Sequence, residues 1–329
     1  MTRIRITESG RTALAPLTRL RSFVETRSGI FTPLELLRLQ HPQAVVYYDH
    51  PDPVFADAFL RRNPFCKKYN NEPVDLEVRE NDYQPWDMVN RIAERISDEY
   101  ALLHQDGGYD LSGLQIVGDT GKMSVHSSAV IYPGVVFDTT EGPVVIGENV
   151  TITPFSFVKG PVVVGAGSSL DNCKIAGSVV GSTCRLGGEI ESSIIGDFTN
   201  KHHEGFLGHS VVGRWVNMGA LSTTSDLKNN YGEIRIKIAD QTINTRQIKL
   251  GSVIGDYVKI AIGVMLNTGT VVDAGSNVFE GRAGGYFPPF SWGDGKYEYG
   301  RFIGDAEKIM ARRKQILSDA DRELLGKIQ

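Results

Sequence analysis

In the stretch NKHHEGFLGHSVVGRWVNMGA, residues 200–220, three of the chain's seven histidines (His202, His203 and His209) fall within eight residues, with Glu204 among them. Imidazole titrates near neutrality, so a rigidly held histidine can take a proton from a nucleophile as its new bond forms. Glu204 or a backbone carbonyl could fix the tautomer of His203. Metal binding is the competing chemistry. However, a His-His-x5-His spacing fits no standard ligand set and brings no sulfur or oxygen donors with it. His202 and His209 read as surface turn residues.

The elements that must position these side chains follow a period of six. An aliphatic residue and a small or polar successor recur at Ile146-Gly147, Ile152-Thr153, Val158-Lys159, Val164-Gly165 and Leu170-Asp171. The register resumes at Val180-Gly181, Leu186-Gly187, Val212-Gly213 and Met218-Gly219, and again from Ile254-Gly255 to Val278. At 3.6 residues per turn a helix would smear this period around all its faces. Short strands joined by tight corners keep one aliphatic side chain inward per strand. Coils stacked in this way bury a column that no coil could bury alone. The expected fold is therefore mainly β: a parallel β-helix with a small N-terminal α/β region and a C-terminal helix.

Three regions follow: 1–108, the column at 109–282, and a closing strap and helix at 283–329. In the first, QAVVYYD reads as β-rich, and Thr32 is placed to cap a helix beginning at Pro33. PWDMVNRIAERISDEYALLH puts Val89, Ile92, Ile96, Tyr100 and Leu103 on one helical face. The Gly-rich QDGGYD, 105–110, marks the boundary. A polar arm at 223–251 interrupts the column, and is either a functional loop or a clasp on a neighbouring subunit. Beyond the aromatic strap, Asp305 is expected to cap a helix whose stripe of Ala306, Ile309, Met310, Ile316 and Leu317 covers the open end of the column. Arg312-Arg313-Lys314 reads as a solvated face.

The bulk numbers exclude several classes. A net charge of -4 argues against a general nucleic-acid binder. No apolar run is long enough to span a membrane, and the first residues lack the apolar core of a secretory signal. Cys66, Cys173 and Cys184 show no CxxC spacing and read as buried thiols of a reducing compartment, which makes the cytoplasm the expected location.

A hexapeptide column with an internal histidine loop resembles the left-handed β-helix acyltransferases. More narrowly, GGEIESSIIGDFTNKHHEGFLGHSVVGRWVNMGALSTTSDLKNNYG (187–232) is similar to the acetyltransferase half of bifunctional N-acetylglucosamine-1-phosphate uridyltransferase/glucosamine-1-phosphate acetyltransferases. Their divergent, sugar nucleotidyltransferase-like branch is the most similar. ALAPLTRLRSFVETRSGI (13–30), PWDMVN (85–90) and PPFSWGDG (288–295) extend the likeness to all three regions. The resemblance implies a left-handed column, acetyl-CoA as co-substrate, no metal, a sugar acceptor and a homotrimer. It implies that His203 is the general base, that Asn217 contacts the acceptor, and that Ala220, with Gly219 before it, lies beside the thioester. Two positions depart from the pattern. Phe206 replaces a substrate-binding tyrosine, and Glu191 replaces a phosphate-binding lysine, whose contact a carboxylate cannot make. Either Lys201, Arg185 or a residue of the arm supplies that charge, or the acceptor is not a simple hexosamine 1-phosphate.

The expected function is acetyl-CoA-dependent acyl transfer, N-acetylation above all, to an amino-sugar phosphate or nucleotide sugar. One alternative is a sugar-1-phosphate nucleotidyltransferase or bifunctional enzyme. Up to residue 108, however, the only glycines are Gly10, Gly29, Gly107 and Gly108, with no Gly-rich triphosphate loop. The region reads as a reduced nucleotidyltransferase remnant, with Arg19, Arg21 and Arg27 in surface or structural roles ahead of a phosphate contact. The other alternative is a non-catalytic sugar-phosphate-binding scaffold.

Overall fold

Short parallel strands, most of two or three residues, stack coil on coil from Gln115 to Trp292 and form the column that the period of six requires. This is a computed structural model, and it describes residues 2–9, 14–80, 83–103 and 108–329. One inward register runs through Ile152, Leu170 and Leu186 and continues from Met218 to Ile260 and Val278. A second joins Ile146, Val164, Val180, Ile195, Val212, Ile254 and Val272. These side chains form one interior cluster, each at most 2% exposed. Every such aliphatic contributes about 1.5–3 kcal/mol relative to an exposed one, so the repeat stabilises itself. The strap extends the column: Tyr286–Phe287 pairs with Val271–Val272, and Trp292 pairs with Asn277.

The corners need backbone that few side chains tolerate. Along one edge Phe198, Trp215 and Tyr257 take φ of 61°, 61° and 62°, a left-handed conformation unusual for bulky residues. Stacking offsets the strain. The rings of Phe198 and Trp215 lie 4.2 Å apart and nearly parallel, with Tyr257 6.4 Å beyond. A second edge carries Phe155, Asn172 and Leu221 in the same conformation, all exposed.

The N-terminal region is a parallel four-stranded sheet in the order β3-β2-β1-β4, formed by β1 (Arg3–Thr7), β2 (Val45–Asp49), β3 (Lys67–Lys68) and β4 (Leu76–Arg79). Thr32 caps α1 (Pro33–Gln40) as expected, in a reciprocal pair with Glu35. α2 (Pro53–Arg62) is capped by Asp52. The long helix expected after Pro85 is two, α3 (Pro85–Asn90) and α4 (Ile92–Tyr100), broken at Arg91. Its apolar face is used: Val89, Ile92 and Ile96 are buried, with Tyr100 and Leu103 packed behind them. Part of the Gly-rich break, 105–107, lies outside the described residues, as do Gly10, Ala13 and His104.

This layer is bolted to the flank of the column. Arg19 reaches the fully buried carboxylate of Asp273 at 2.7 Å, and Arg62 joins Glu25 to Asp321. Arg27 pairs with Glu35, and Arg21 lies 3.9 Å from Glu25. All three arginines of the 13–30 segment therefore lie beside carboxylates.

The C-terminal expectation needs correction. There are two helices, α5 (Tyr299–Ala311) and α6 (Asp319–Lys327), and Glu298 caps the first. Asp305 sits mid-helix and accepts from the Tyr297 hydroxyl. α5 lies along the flank and not over the open end, because the aromatic edge offers it Tyr257, which meets Phe302 edge-on. Ala306, Met310 and Leu317 are buried there, whereas Ile316 is 89% exposed. The polar arm folds back on its own chain. Its hairpin pairs Arg235–Ile238 with Gln241–Asn244, Ile234 and Ile236 are buried, and Gln247 accepts from the Asn90 amide.

Candidate active site

The regular column departs from its own rule at Lys201. Its backbone pairs in the aliphatic register, directly above Leu186, and the residue is 1% exposed. The ammonium cannot stay unbonded in such a place. It donates to the carbonyl oxygens of His203 (2.8 Å) and Gly187 (3.1 Å). Burial pushes its pKa down to about 8. Lys201 is thus an internal brace for the corner at 202–205, and its ammonium, one of the candidates for a substrate phosphate, is bonded inside the column instead. Gly205 completes the corner with φ of 131°, where a Cβ would lie 2.1 Å from the Ser222 carbonyl oxygen.

The corner projects His203 into solvent beside an open recess of about 450 Å³. Thr153, Asp171, Asn172, His202, Glu204, Ala220 and Leu221 share its walls. The Leu221 N–H donates to the Glu204 carbonyl at 2.9 Å, which locks the Ala220 corner over the histidine corner. Among the described residues the only ring contact of His203 is with His202, edge-on, with centroids 4.9 Å apart. Glu204 and Asp171 both line the recess, but among the described residues no hydrogen bond or ion pair joins the Glu204 carboxylate to His203, and Asp171 faces His202 instead. Nδ1 of His202 lies 3.3 Å from Oδ2 of Asp171, yet it is not aligned for a hydrogen bond and remains a buried nitrogen without a bonded partner. Asp171 also accepts from the Ser169 hydroxyl at 2.9 Å. Sequence reasoning missed Asp171. The signal was there: once Lys201 is read as an inward position, His202 falls in line with Gly187 and Asp171. Glycine between the two leaves no side chain in the way.

His209 belongs to a different corner and a different task. It lies 2.7 Å from Asp226, whose pKa it lowers by hydrogen bonding, against the cost of burial. Its N–H donates to Glu191 and its carbonyl accepts from Gly251. Both ends of the arm are tied down here. Glu191 faces Lys249 at 3.7 Å, and Phe206 packs beside Gly208 and Asp226. Gly219 spends its N–H on the Ile260 carbonyl at 2.8 Å. Asn217 lies on an outward ladder, where Asn200 donates to its side-chain oxygen at 3.3 Å and Arg185 lies directly below Asn200. The fold thus brings His203 and Ala220 to one recess. It sets Asn217 and Arg185 on a second surface, and Glu191 and Phe206 near a third.

The three cysteines are free and buried, and burial pushes each thiol up to about 12, so none is poised as a nucleophile. Among the described residues no group of three or more His, Cys, Asp or Glu side chains could hold a metal ion, and no helix is long and apolar enough to cross a membrane.

No family model matches the chain. A bifunctional protein GlmU of Cyanothece sp. is 32% identical over 166 residues, 49% of this chain and 32% of that protein. Another, from Ruthia magnifica, is 27% identical over 247 residues, 69% of this chain and 49% of that one. A bifunctional sugar-1-phosphate nucleotidylyltransferase/acetyltransferase of Sulfurisphaera tokodaii is 27% identical over 93 residues, 28% and 23% of the two chains. The chain spans about a quarter to a half of the length of these curated relatives. Among solved structures, the acetyltransferase domain of PglB from Neisseria gonorrhoeae aligns over 86% of this chain and 97% of its own at 13% identity, with a TM-score of 0.20. A perosamine N-acetyltransferase from Caulobacter crescentus, with CoA and GDP-perosamine, aligns over 88% and 93% at 14% identity, with a TM-score of 0.16. Superpositions this loose carry no geometric detail across.

Proposed function

We propose that this chain, a distant hexapeptide-repeat relative of the GlmU-type bifunctional proteins, transfers an acetyl group from acetyl-CoA to an amino sugar that carries a phosphate or nucleotide. The observation that carries this is the shared recess of His203 and Ala220, the two positions that the family resemblance assigns to the base and the thioester.

In this mechanism the acceptor nitrogen attacks the thioester carbon directly, His203 takes the proton it sheds, and the C–S bond breaks to release CoA, whose thiolate takes that proton back. The Lys201 brace supports the role, because it fixes the His203 peptide from inside the column. His202 packs edge-on against the base and holds its ring, with Asp171 facing His202. The thioester oxygen needs a donor as it gains charge. With the Gly219 N–H committed to Ile260, Ala220 supplies it. Asn217 contacts the acceptor.

The active form is a homotrimer. Phe155, Leu221 and Ile262 are 83%, 63% and 75% exposed, and all lie at corners of the column edge that carries the recess. Large apolar side chains left exposed along one edge suit an interaction surface.

The test is acetyl-CoA consumption with a panel of amino-sugar phosphates and nucleotide-linked amino sugars. Turnover with at least one acceptor is expected, without pyrophosphate release when sugar 1-phosphates are supplied with UTP or dTTP. Binding of acetyl-CoA with no acceptor turned over would sink the proposal in favour of a scaffold.

A further inference from the structure

Arg312-Arg313-Lys314, a solvated face by sequence, does not simply stand in water. Met310 is buried, and its sulfur meets the Tyr257 hydroxyl at 3.7 Å, which fixes the end of α5 against the column. The N–H groups of Arg313 and Gln315 both donate to the Met310 carbonyl, at 2.9 and 3.0 Å. The turn so formed directs Arg313 onto the outward ladder, where its Nη2 donates to Oδ1 of Asn200 at 3.3 Å. Arg185 pairs with the same Asn200 through the backbone of the coil below, close enough for its charge to act on Arg313. Two arginines from distant parts of the chain therefore lie beside Asn200, one bonded to its side chain and one paired to its backbone strand, and Asn200 is itself bonded to Asn217.

The cluster carries like charge. Burial holds the Arg313 pKa below the ordinary guanidinium value, and Arg185 and Arg312 lower it further. Among the described residues no carboxylate ion-pairs with Arg185, Arg312 or Arg313. Elsewhere on the flank cations are matched: Arg214 with Asp197, Arg19 with Asp273, Arg62 with Glu25 and Asp321. Cations at the end of a helix are ordinary complements to its dipole. That role does not require Arg313 to turn onto Asn200, nor Arg185 to meet it from another element.

The geometry points to a phosphate-binding site built by Arg185, Arg313 and Arg312 around the Asn200–Asn217 amide pair. Guanidinium forks match phosphate oxygens and bind them with charge-assisted hydrogen bonds. Asn200 is three residues from His203, a reach of roughly 10 Å along extended chain. A phosphorylated ligand held here can therefore extend its other end toward the recess. That second statement rests on the proposed acetyl transfer; the phosphate site rests on the arginines alone. It also moves the phosphate contact away from Glu191, which faces Lys249, to Arg185 at the other end of the same strand and to the C-terminal segment.

The phosphate belongs either to the acceptor or to the acyl donor, and calorimetric titration of the full-length protein separates the two without turnover. The probes are pyrophosphate, glucosamine 1-phosphate against glucosamine, and CoA against 3′-dephospho-CoA. Arg185→Gln and Arg313→Gln should each weaken at least one phosphate-bearing probe about tenfold, the scale of one lost charged hydrogen bond. Lys314→Gln, just outside the cluster, should bind as wild type. A loss confined to glucosamine 1-phosphate assigns the site to the acceptor, and a loss seen with CoA but not with its dephospho form assigns it to the donor. Failure of wild type to bind any phosphate probe, or unchanged binding by both arginine variants, overturns the site. Tight phosphate binding without acetyl transfer would keep the site and remove the catalytic reading.

Discussion

The ammonium of Lys201 donates from inside the column to the carbonyl oxygen of His203, 2.8 Å away, from a position where the neighbouring coils carry Leu186 and Met218. The buried charge is retained at the coil whose corner carries His203, the proposed base. Lys201→Met removes the brace while keeping an apolar fill. Two carbonyls lose their donor, at about 1–3 kcal/mol each, but the cost of burying an ammonium disappears, so stability at pH 7 should change little. Acetyl transfer should fall about tenfold as the corner loosens. The pH dependence has a definite sign. The folded pKa of about 8 lies below the value near 10.4 of an unfolded lysine. The unfolded chain therefore holds more protons between these values, and wild-type stability should rise from pH 8 to 10 relative to Lys201→Met. Urea midpoints at pH 7, 9 and 10 measure this.

Glu8 titrates in the opposite sense. It is buried at the end of β1, accepts from the Tyr48 hydroxyl at 2.6 Å and from Ser22, and burial pushes its pKa up to about 7. The folded state holds the proton between about pH 4.3 and 7. Its contribution to stability is present below that window and lost as pH rises through 7. Thermal melts should show wild type losing on the order of 1–3 kcal/mol relative to Glu8→Gln between pH 5 and 8.

Arg19 and Asp273 join the N-terminal segment to the column, and the Asp273 side chain is wholly buried. Arg19→Met leaves that carboxylate without its cation, at a cost of roughly 3 kcal/mol. Adding Asp273→Asn should recover much of the loss, because the orphaned charge goes with it. A double-mutant cycle by denaturant unfolding gives the coupling, and additive losses would contradict it.

If the exposed edge seats a second copy, a carboxylate there should break the assembly. Phe155→Glu or Leu221→Glu should convert a trimer to a monomer by light scattering, with the column's circular dichroism unchanged. Trimers that persist in both variants would locate the interface elsewhere.

The column was legible because its rule is geometric: one inward aliphatic per strand, repeated until the chain must coil. Thr32, the α3–α4 apolar face and the buried cysteines were legible for similar local reasons. What escaped depends on side chains meeting across coils. Asp171 comes close to His202 only because Gly187 between them lacks a side chain. Lys201 looks like a surface cation until its register beside Leu186 is known. Asp305 stands before an apolar stripe and so mimics a cap, but Glu298 accepts the first free N–H groups instead. The path of α5 was hidden because the stack of Phe198, Trp215 and Tyr257 that receives it forms only when three coils align.

The most direct test is the rate of acetyl transfer by His203→Ala beside His202→Ala, measured with the best acceptor from the panel and with CoA binding checked in both. Loss of at least 100-fold in kcat for His203→Ala, with acetyl-CoA still bound and a smaller loss for His202→Ala, is the expected result. A His203→Ala enzyme that turns over near the wild-type rate would contradict the assignment of the base.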